Sequence, residues 1–135
     1  MKAFKLKIVT PDGEMYSGEA RSILVRTDDG DAEILADHAD YFASLGCGRV
    51  RIILSDGTVR QAASSGGFIS VMNGDVDVIA TTFEYAENID LNRALSAKER
   101  AEEALRIAKE DQQIILAKAK LERALMRISV ANRLK

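Results

Sequence analysis

The chain contains no tryptophan, one cysteine, one histidine and one proline among its 135 residues. Each scarcity excludes something. Cys47 alone cannot form an internal disulfide, and so sparing a use of cysteine points to a reducing compartment. Cys47 and His38 together are too few ligands for a structural zinc site. As a nucleophilic pair they lack a third group to orient the imidazole, so structural duty is the better account of both. With aromatic residues at 5%, the core has to be built from Ile, Val, Leu and Ala. No stretch approaches the ~18 apolar residues that a membrane span requires. The opening residues, Met1 to Lys7, alternate charge and apolarity. They carry neither the apolar core of a signal peptide nor the Arg- and Ser-rich character of a transit peptide, and read as strand from the start. There is no G-x-x-x-x-G-K-[ST] loop, which excludes a P-loop hydrolase.

Glycine is missing from one half only. All nine glycines and the single proline lie between Pro11 and Gly74, and none follows. The first half is therefore punctuated by turns: Pro11-Asp12-Gly13, Asp29-Gly30, Gly46-Cys47-Gly48, Asp56-Gly57, Ser65-Gly66-Gly67 and Asn73-Gly74. Between them run patterns of period two. Phe4, Leu6 and Ile8 alternate with lysines; Ile23 and Val25 share a face, as do Val50, Ile52 and Leu54, and Val76, Val78 and Ala80. Asp56-Gly57 and Asn73-Gly74 suit two-residue hairpin turns of type I′. Ser65-Gly66-Gly67, which opens no helix, reads as a tight connection between strands rather than a phosphate loop. Short strands with such turns predict an all-β N-terminal domain, an antiparallel β-sandwich or flattened barrel, over residues 1–86.

The second half, 87–135, switches to helical spacing. Ala94, Ala97, Ala101, Ala104 and Ala108 recur at intervals of three and four, and so do Ile114, Ala117, Leu121, Ala124, Ile128 and Ala131. The polar stretch Lys109-Glu110-Asp111-Gln112 separates the two runs, and Asp90 and Asp111 are candidate N-caps. The pattern predicts an α-helical C-terminal antiparallel hairpin, each helix roughly 30 Å long. An all-alanine seam lets helices approach closely but buries little apolar area, at ~25 cal/mol per Å². Such a hairpin is marginal by itself and able to open.

Charge divides along the same line. Residues 1–86 carry 8 basic and 13 acidic side chains, and 87–135 carry 11 and 8. The second half suits an anionic partner. Carboxylate neighbours such as Asp28/Asp29 and Glu102/Glu103 read as solvated surface. Four arginines are more informative. Arg93 and Arg100 share one face of the first helix, Arg123 and Arg127 one face of the second. Arg93 has Asp90 at i−3 and Arg100 has Glu103 at i+3, whereas Arg123 and Arg127 have no acid one turn away. Reversal near Lys109 to Gln112 brings the two pairs to the same level. On spacing alone, water-facing side chains at helix ends are favoured over an anion site.

The residues also resemble a known family. The runs Ile8-Val9-Thr10-Pro11-Asp12-Gly13-Glu14-Met15-Tyr16-Ser17-Gly18, Ser65-Gly66-Gly67-Phe68-Ile69-Ser70-Val71 and Asn73-Gly74-Asp75-Val76-Asp77-Val78-Ile79-Ala80 resemble successive blocks of the bacterial F-type ATP synthase epsilon subunit. Ile89-Asp90-Leu91-Asn92-Arg93-Ala94 and the stretch Ala97 to Glu103 resemble the start of its first C-terminal helix, and Arg123 to Val130 the end of its second. The match runs in order over nearly the whole chain. One segment departs. Gly30 to Asp40 stands where the family usually has G-E-x-G-I-L-P-G-H-A-P, with Glu33 in place of a glycine and Ala36 and Asp40 in place of prolines.

The resemblance implies a non-catalytic rotor subunit, peripheral on the cytoplasmic face of a bacterial membrane. Its sandwich would dock on the gamma subunit and the c-ring. Its hairpin would fold back, or extend along gamma between the alpha and beta subunits and inhibit ATP hydrolysis. No nucleic acid, metal or required cofactor is implied; ATP is a regulatory ligand in several members. Carried over to this chain, the ATP-binding pattern falls on Glu84, Asp90, Arg93, Ala94, Arg100, Arg123 and Arg127. Three rivals stand beside it: a rotor subunit whose arginines serve only inter-subunit contacts, a small enzyme using Cys47 or His38, and a sandwich-plus-hairpin adaptor of another assembly.

Overall fold

The computed structural model describes residues 2–133. Seven strands, β1 (Phe4–Thr10), β2 (Gly13–Thr27), β3 (Gly30–Leu35), β4 (Tyr41–Ser44), β5 (Gly48–Leu54), β6 (Val59–Met72) and β7 (Asp75–Tyr85), precede a 3₁₀ turn (Ala86–Asn88) and the helices α1 (Leu91–Ile107) and α2 (Asp111–Asn132). The first strand begins at Phe4 rather than at the chain start, and the expectations for Met1, Leu134 and Lys135 fall outside the described residues. The chain divides after Tyr85 into two compact units.

In the first unit, β1, β7, β6, β5 and β2 form a closed ring, because β1 pairs with both β7 and β2. β3 adds to the side of β2 and β4 to β6. Every pairing is antiparallel except β1 with β7, which is parallel. Two long strands serve both layers of the flattened barrel. β2 pairs with β1 through Gly13 to Ala20 and with β3 and β5 beyond, and its register with β5 shifts between Ala20 and Ser22. β6 pairs with β5 over Val59 to Ser64 and with β4 over Phe68 to Val71. The alternation seen in the sequence is the inward face: Leu6, Ile8, Ile23, Val25, Val50, Ile52, Ile69, Val71, Val76 and Val78 are all buried.

Ser65-Gly66-Gly67 is not a connection between strands but a kink inside β6, at the point where that strand exchanges one partner for another. Gly66 and Gly67 have φ of 71° and 91°, and a Cβ on Gly67 would overlap the carbonyl oxygen of Ile79. Only glycine meets both conditions. Asn73-Gly74 is the expected two-residue turn, both residues having positive φ (51° and 84°). Asp56-Gly57 is not. Four residues, 55–58, join β5 to β6, and only Gly57 has positive φ. The Asp56 carboxylate accepts from the Thr58 N–H at 2.9 Å, and this side-chain turn replaces the second left-handed residue. The same bond, with that of the Thr58 hydroxyl, holds the Asp56 carboxyl below the usual carboxylate range.

The atypical segment from Gly30 to Asp40 is tied in by its own substituents. Glu33 pairs with Arg51 at 3.4 Å, Ala36 packs on the core, and Asp40 Oδ1 accepts from the Asn73 N–H at 2.9 Å. Asp37 takes φ of 64° at a point where the family pattern has glycine, and its carboxylate pairs with Lys2 at 2.8 Å. That glycine-to-aspartate exchange escaped the sequence reading.

The second unit is the helical hairpin. Asp90 caps α1 as expected, its Oδ1 accepting from the Arg93 N–H at 3.1 Å. Asp111 does not cap α2; it is the first helical residue, and Glu110 is the N-cap. Gln113 reaches back so that its Oε1 accepts from the N–H groups of Lys109 and Glu110, at 3.3 and 3.5 Å, which fixes the reversal one residue earlier. Along α1, Ala94 and Ala101 are buried, Ala97 and Ala108 half-buried, and Ala104 is exposed, with Leu105 half-buried in its stead. A strict 3-4 repeat drifts against a 3.6-residue helix, so the stripe moves on by one residue. On α2, Ala117 and Ala124 are buried, Ile114, Leu121, Ile128 and Ala131 half-buried, and Val130 is fully buried. α2 also touches the 3₁₀ turn.

Replacing Gly67 with Ala is expected to lower the unfolding free energy by about 2–4 kcal/mol, from strain at positive φ and the collision with Ile79. Chemical denaturation followed by circular dichroism checks this, with Gly74→Ala, where a Cβ meets nothing within 4 Å, as the milder comparison.

Candidate functional site

Six of the seven candidate residues, Asp90, Arg93, Ala94, Arg100, Arg123 and Arg127, lie on the helical hairpin or its cap. Glu84 belongs to the first unit, half-buried on β7 opposite Ala63. The buried alanines fix the level of one helix against the other. Ala101 and Ala117 are equally distant from Lys109 in sequence, as are Ala94 and Ala124, so each pair sits at the same height of an antiparallel seam. By the same mirror, Arg127, Arg93 and Arg123 fall within roughly 6 Å along the axis, and Arg100 roughly 7 Å beyond.

The side on which they lie follows from helix periodicity. At about 100° per residue, Arg93 and Arg100 sit roughly 90° from the buried stripe of α1, on its N-terminal-handed flank. Arg123 and Arg127 sit about 90–130° from the stripe Ala117–Leu121–Ala124–Ile128, in the same rotational sense. Two antiparallel helices that face each other through such stripes turn those flanks to one side. The four arginine positions therefore flank the seam on the same side.

The acids expected beside them are otherwise engaged. The Asp90 carboxylate caps α1 through the Arg93 N–H. Glu103 binds Arg106, not Arg100, in a two-pronged pair that raises the Arg106 pKa further. Among the described residues, the side chains of Arg93, Arg100 and Arg123 form no ion pair, and Arg127 is half-buried. Ala94 is fully buried in the seam, so its part is to let the helices close up. Asn92, Arg93, Ser96 and Arg100 line an open hollow of about 270 Å³ on α1. Among the described residues no three His, Cys, Asp or Glu side chains are grouped to hold a metal ion.

The first unit has a surface of another kind. Phe42, Phe68, Ile79 and Val9 form a row across β4, β6, β7 and β1: Phe68 is in register with Ile79 and Ile79 with Val9, and the rings of Phe42 and Phe68 are 5.1 Å apart. Phe42 is 65% exposed and Met72, on the same strand as Phe68, 61%. Large apolar side chains exposed together mark a contact surface. No helix among the described residues is long and apolar enough to cross a membrane.

Each of the two units matches a family model of the ATP synthase delta/epsilon chain. Residues 3–86 match the family model of the ATP synthase delta/epsilon chain beta-sandwich domain, and residues 87–132 that of its long alpha-helix domain. Curated relatives are more specific. The ATP synthase epsilon chain of Bacillus velezensis is 43% identical over 132 residues, covering 98% of this chain and 99% of its own. That of Caldanaerobacter subterraneus is 39% identical over 132 residues, covering 98% and 96%. A chain of the Euglena gracilis mitochondrial ATP synthase structure, containing OSCP, F1 and the c-ring, shares the fold with a TM-score of 0.82 at 24% identity, over 91% of this chain and 78% of that one. The chain belongs to the ATP synthase epsilon chain family.

Like charges four residues apart destabilise a helix by about 0.2–0.5 kcal/mol. Arg123→Gln is accordingly expected to raise the thermal midpoint of the helical signal slightly in low salt. The gain should vanish at about 0.5 M salt, where screening removes the repulsion; scanning calorimetry at two ionic strengths checks it.

Proposed function

We propose that the chain is a non-catalytic subunit of the central stalk of a bacterial rotary ATP synthase, peripheral to the membrane on its cytoplasmic face. It couples the rotor to the c-ring and regulates ATP hydrolysis through its C-terminal hairpin. Family membership supports the rotor role. The row of exposed Phe42 and Ile79 about the half-buried Phe68 is suited to the gamma subunit, since a rigid sheet face with a protruding aromatic offers area at low entropic cost.

The regulatory reading is carried by one observation, the four arginines on one flank of an alanine seam. Seam and charges oppose each other. The seam buries small side chains, and Arg93, Arg100 and Arg123, which form no ion pair among the described residues, bring like charge to its flank. A polyphosphate placed on that flank accepts charge-assisted hydrogen bonds from several guanidiniums at once and cancels the repulsion. ATP then binds the closed hairpin and not the open one. Such a ligand stabilises the closed form by RT ln(1 + [L]/Kd), roughly 2.7 kcal/mol at a hundredfold excess over Kd. Without it the hairpin opens, and its basic second helix is drawn to acidic surfaces on the alpha and beta subunits, where it blocks hydrolysis.

Reconstitution with a catalytic core tests the regulatory role. Full-length chain is expected to lower ATPase activity relative to a truncation ending at Glu87, and equal activities would sink the proposal. Titration calorimetry tests the ligand. Arg123→Ala and Arg127→Ala should each weaken ATP binding by roughly tenfold, as loss of a charge-assisted bond implies. Parent-like affinity in both variants would leave the arginines to inter-subunit contacts alone.

A further inference from the structure

The chain passes from one unit to the other after Tyr85, the last residue of β7, and that side chain is tied on several sides. Its hydroxyl donates to the Met15 carbonyl of β2 at 2.9 Å. Its ring stands edge-on to Phe83, the centroids 5.0 Å apart and the planes at 88°. The Arg60 guanidinium of β6 lies over its face, 3.6 Å from the centroid. We infer that Arg60 and Tyr85 form a clamp that ends the folded sandwich, so that loss of order in the helices stops at residue 85.

A strand end opens easily unless something besides its own ladder holds it, because the last pair is supported from one direction only. β7 ends at the pair of Tyr85 with Ala62, and the residues that follow form the 3₁₀ turn. β6 runs on past that pair, through Gln61 and Arg60 to Val59, in register with β5. Arg60 therefore stands on a strand that is fixed beyond the end of β7, and reaches back over it. A guanidinium is drawn to the negative face of an aromatic ring, and more strongly where water is excluded; Tyr85 is 5% exposed and Arg60 half-buried. The hydroxyl bond extends the tie to β2, and the edge-on contact with Phe83 carries it inward along β7. The residues just beyond take their order from elsewhere. The Ile89 N–H donates to the Ala86 carbonyl at 3.2 Å, and the 3₁₀ turn touches α2. The consequence is insulation: the outer face across β4, β6, β7 and β1 keeps its shape while the helices gain or lose order. The inference needs no ligand and does not rest on the regulatory reading.

Native-state hydrogen exchange of the full chain, read by mass spectrometry at rising urea below the sandwich transition, tests the clamp. In the parent, the segment 80–85 should exchange with the sandwich strands and the segment 86–91 with the helices. Arg60→Gln and Tyr85→Leu should each speed exchange over 80–85 roughly tenfold, the worth of about one lost tie, and give that segment the urea dependence of the helices. β1 and β5 should keep their parent rates. Tyr85→Phe, which keeps the ring and loses the bond to Met15, should fall between. Arg60 is only half-buried, so Arg60→Gln reports even where Tyr85→Leu fails to fold. A parent in which 80–85 exchanges with the helices, or in which both units exchange as one, overturns the clamp. So does a parent-like rate over 80–85 in Arg60→Gln, and so does an equal acceleration of β1 and β5 in that variant.

Discussion

The alanine seam of the hairpin sets the terms for the rest of the second unit. Ala94 and Ala101 against Ala117 and Ala124 bring two helix axes close together, and each contact removes only a methyl group from water. Close axes also draw the flanking side chains together, and on one flank those side chains are arginines. Attraction through small contacts and repulsion through like charge are thus products of the same spacing. A leucine seam would bury more and hold the cations further apart.

The first unit is built on the opposite principle. Its strands close into a ring, so most pairing edges are satisfied, and branched aliphatic side chains fill the inside. The two long strands β2 and β6 bind the layers into one body by changing partners midway, β2 around Arg21 and β6 at Gly66 and Gly67. Branched aliphatic packing holds the first unit firmly, while an alanine seam leaves the second with little apolar burial.

Local signals were legible in the sequence and non-local ones were not. Period-two alternation identified the buried faces of β1, β5 and β7, and Asn73-Gly74 and Asp90 announced their turn and cap, because each is decided within a few residues. The parallel pairing of β1 with β7 joins segments some seventy residues apart and leaves no local mark. Ser65-Gly66-Gly67 looked like a connection because glycines that relieve a collision with a neighbouring strand are indistinguishable, in one dimension, from glycines that end a strand. Local side-chain bonds change the outcome twice. Asp56 offers its own side chain to the turn, and the N-cap of α2 falls on Glu110, one residue before Asp111. For the site, the arginines stood out by charge and spacing, whereas the pairing of Glu103 with Arg106 rather than Arg100 is a choice between near-equal neighbours on one helix face.

α2 is longer than α1 by more than a turn, 22 residues against 17, and the surplus reaches the 3₁₀ turn Ala86–Asn88. Val130, fully buried in that last stretch, stands by the mirror about Lys109 at the height of Asn88. The turn that opens the second unit is therefore packed against the far end of its last helix, and the order of one depends on the order of the other.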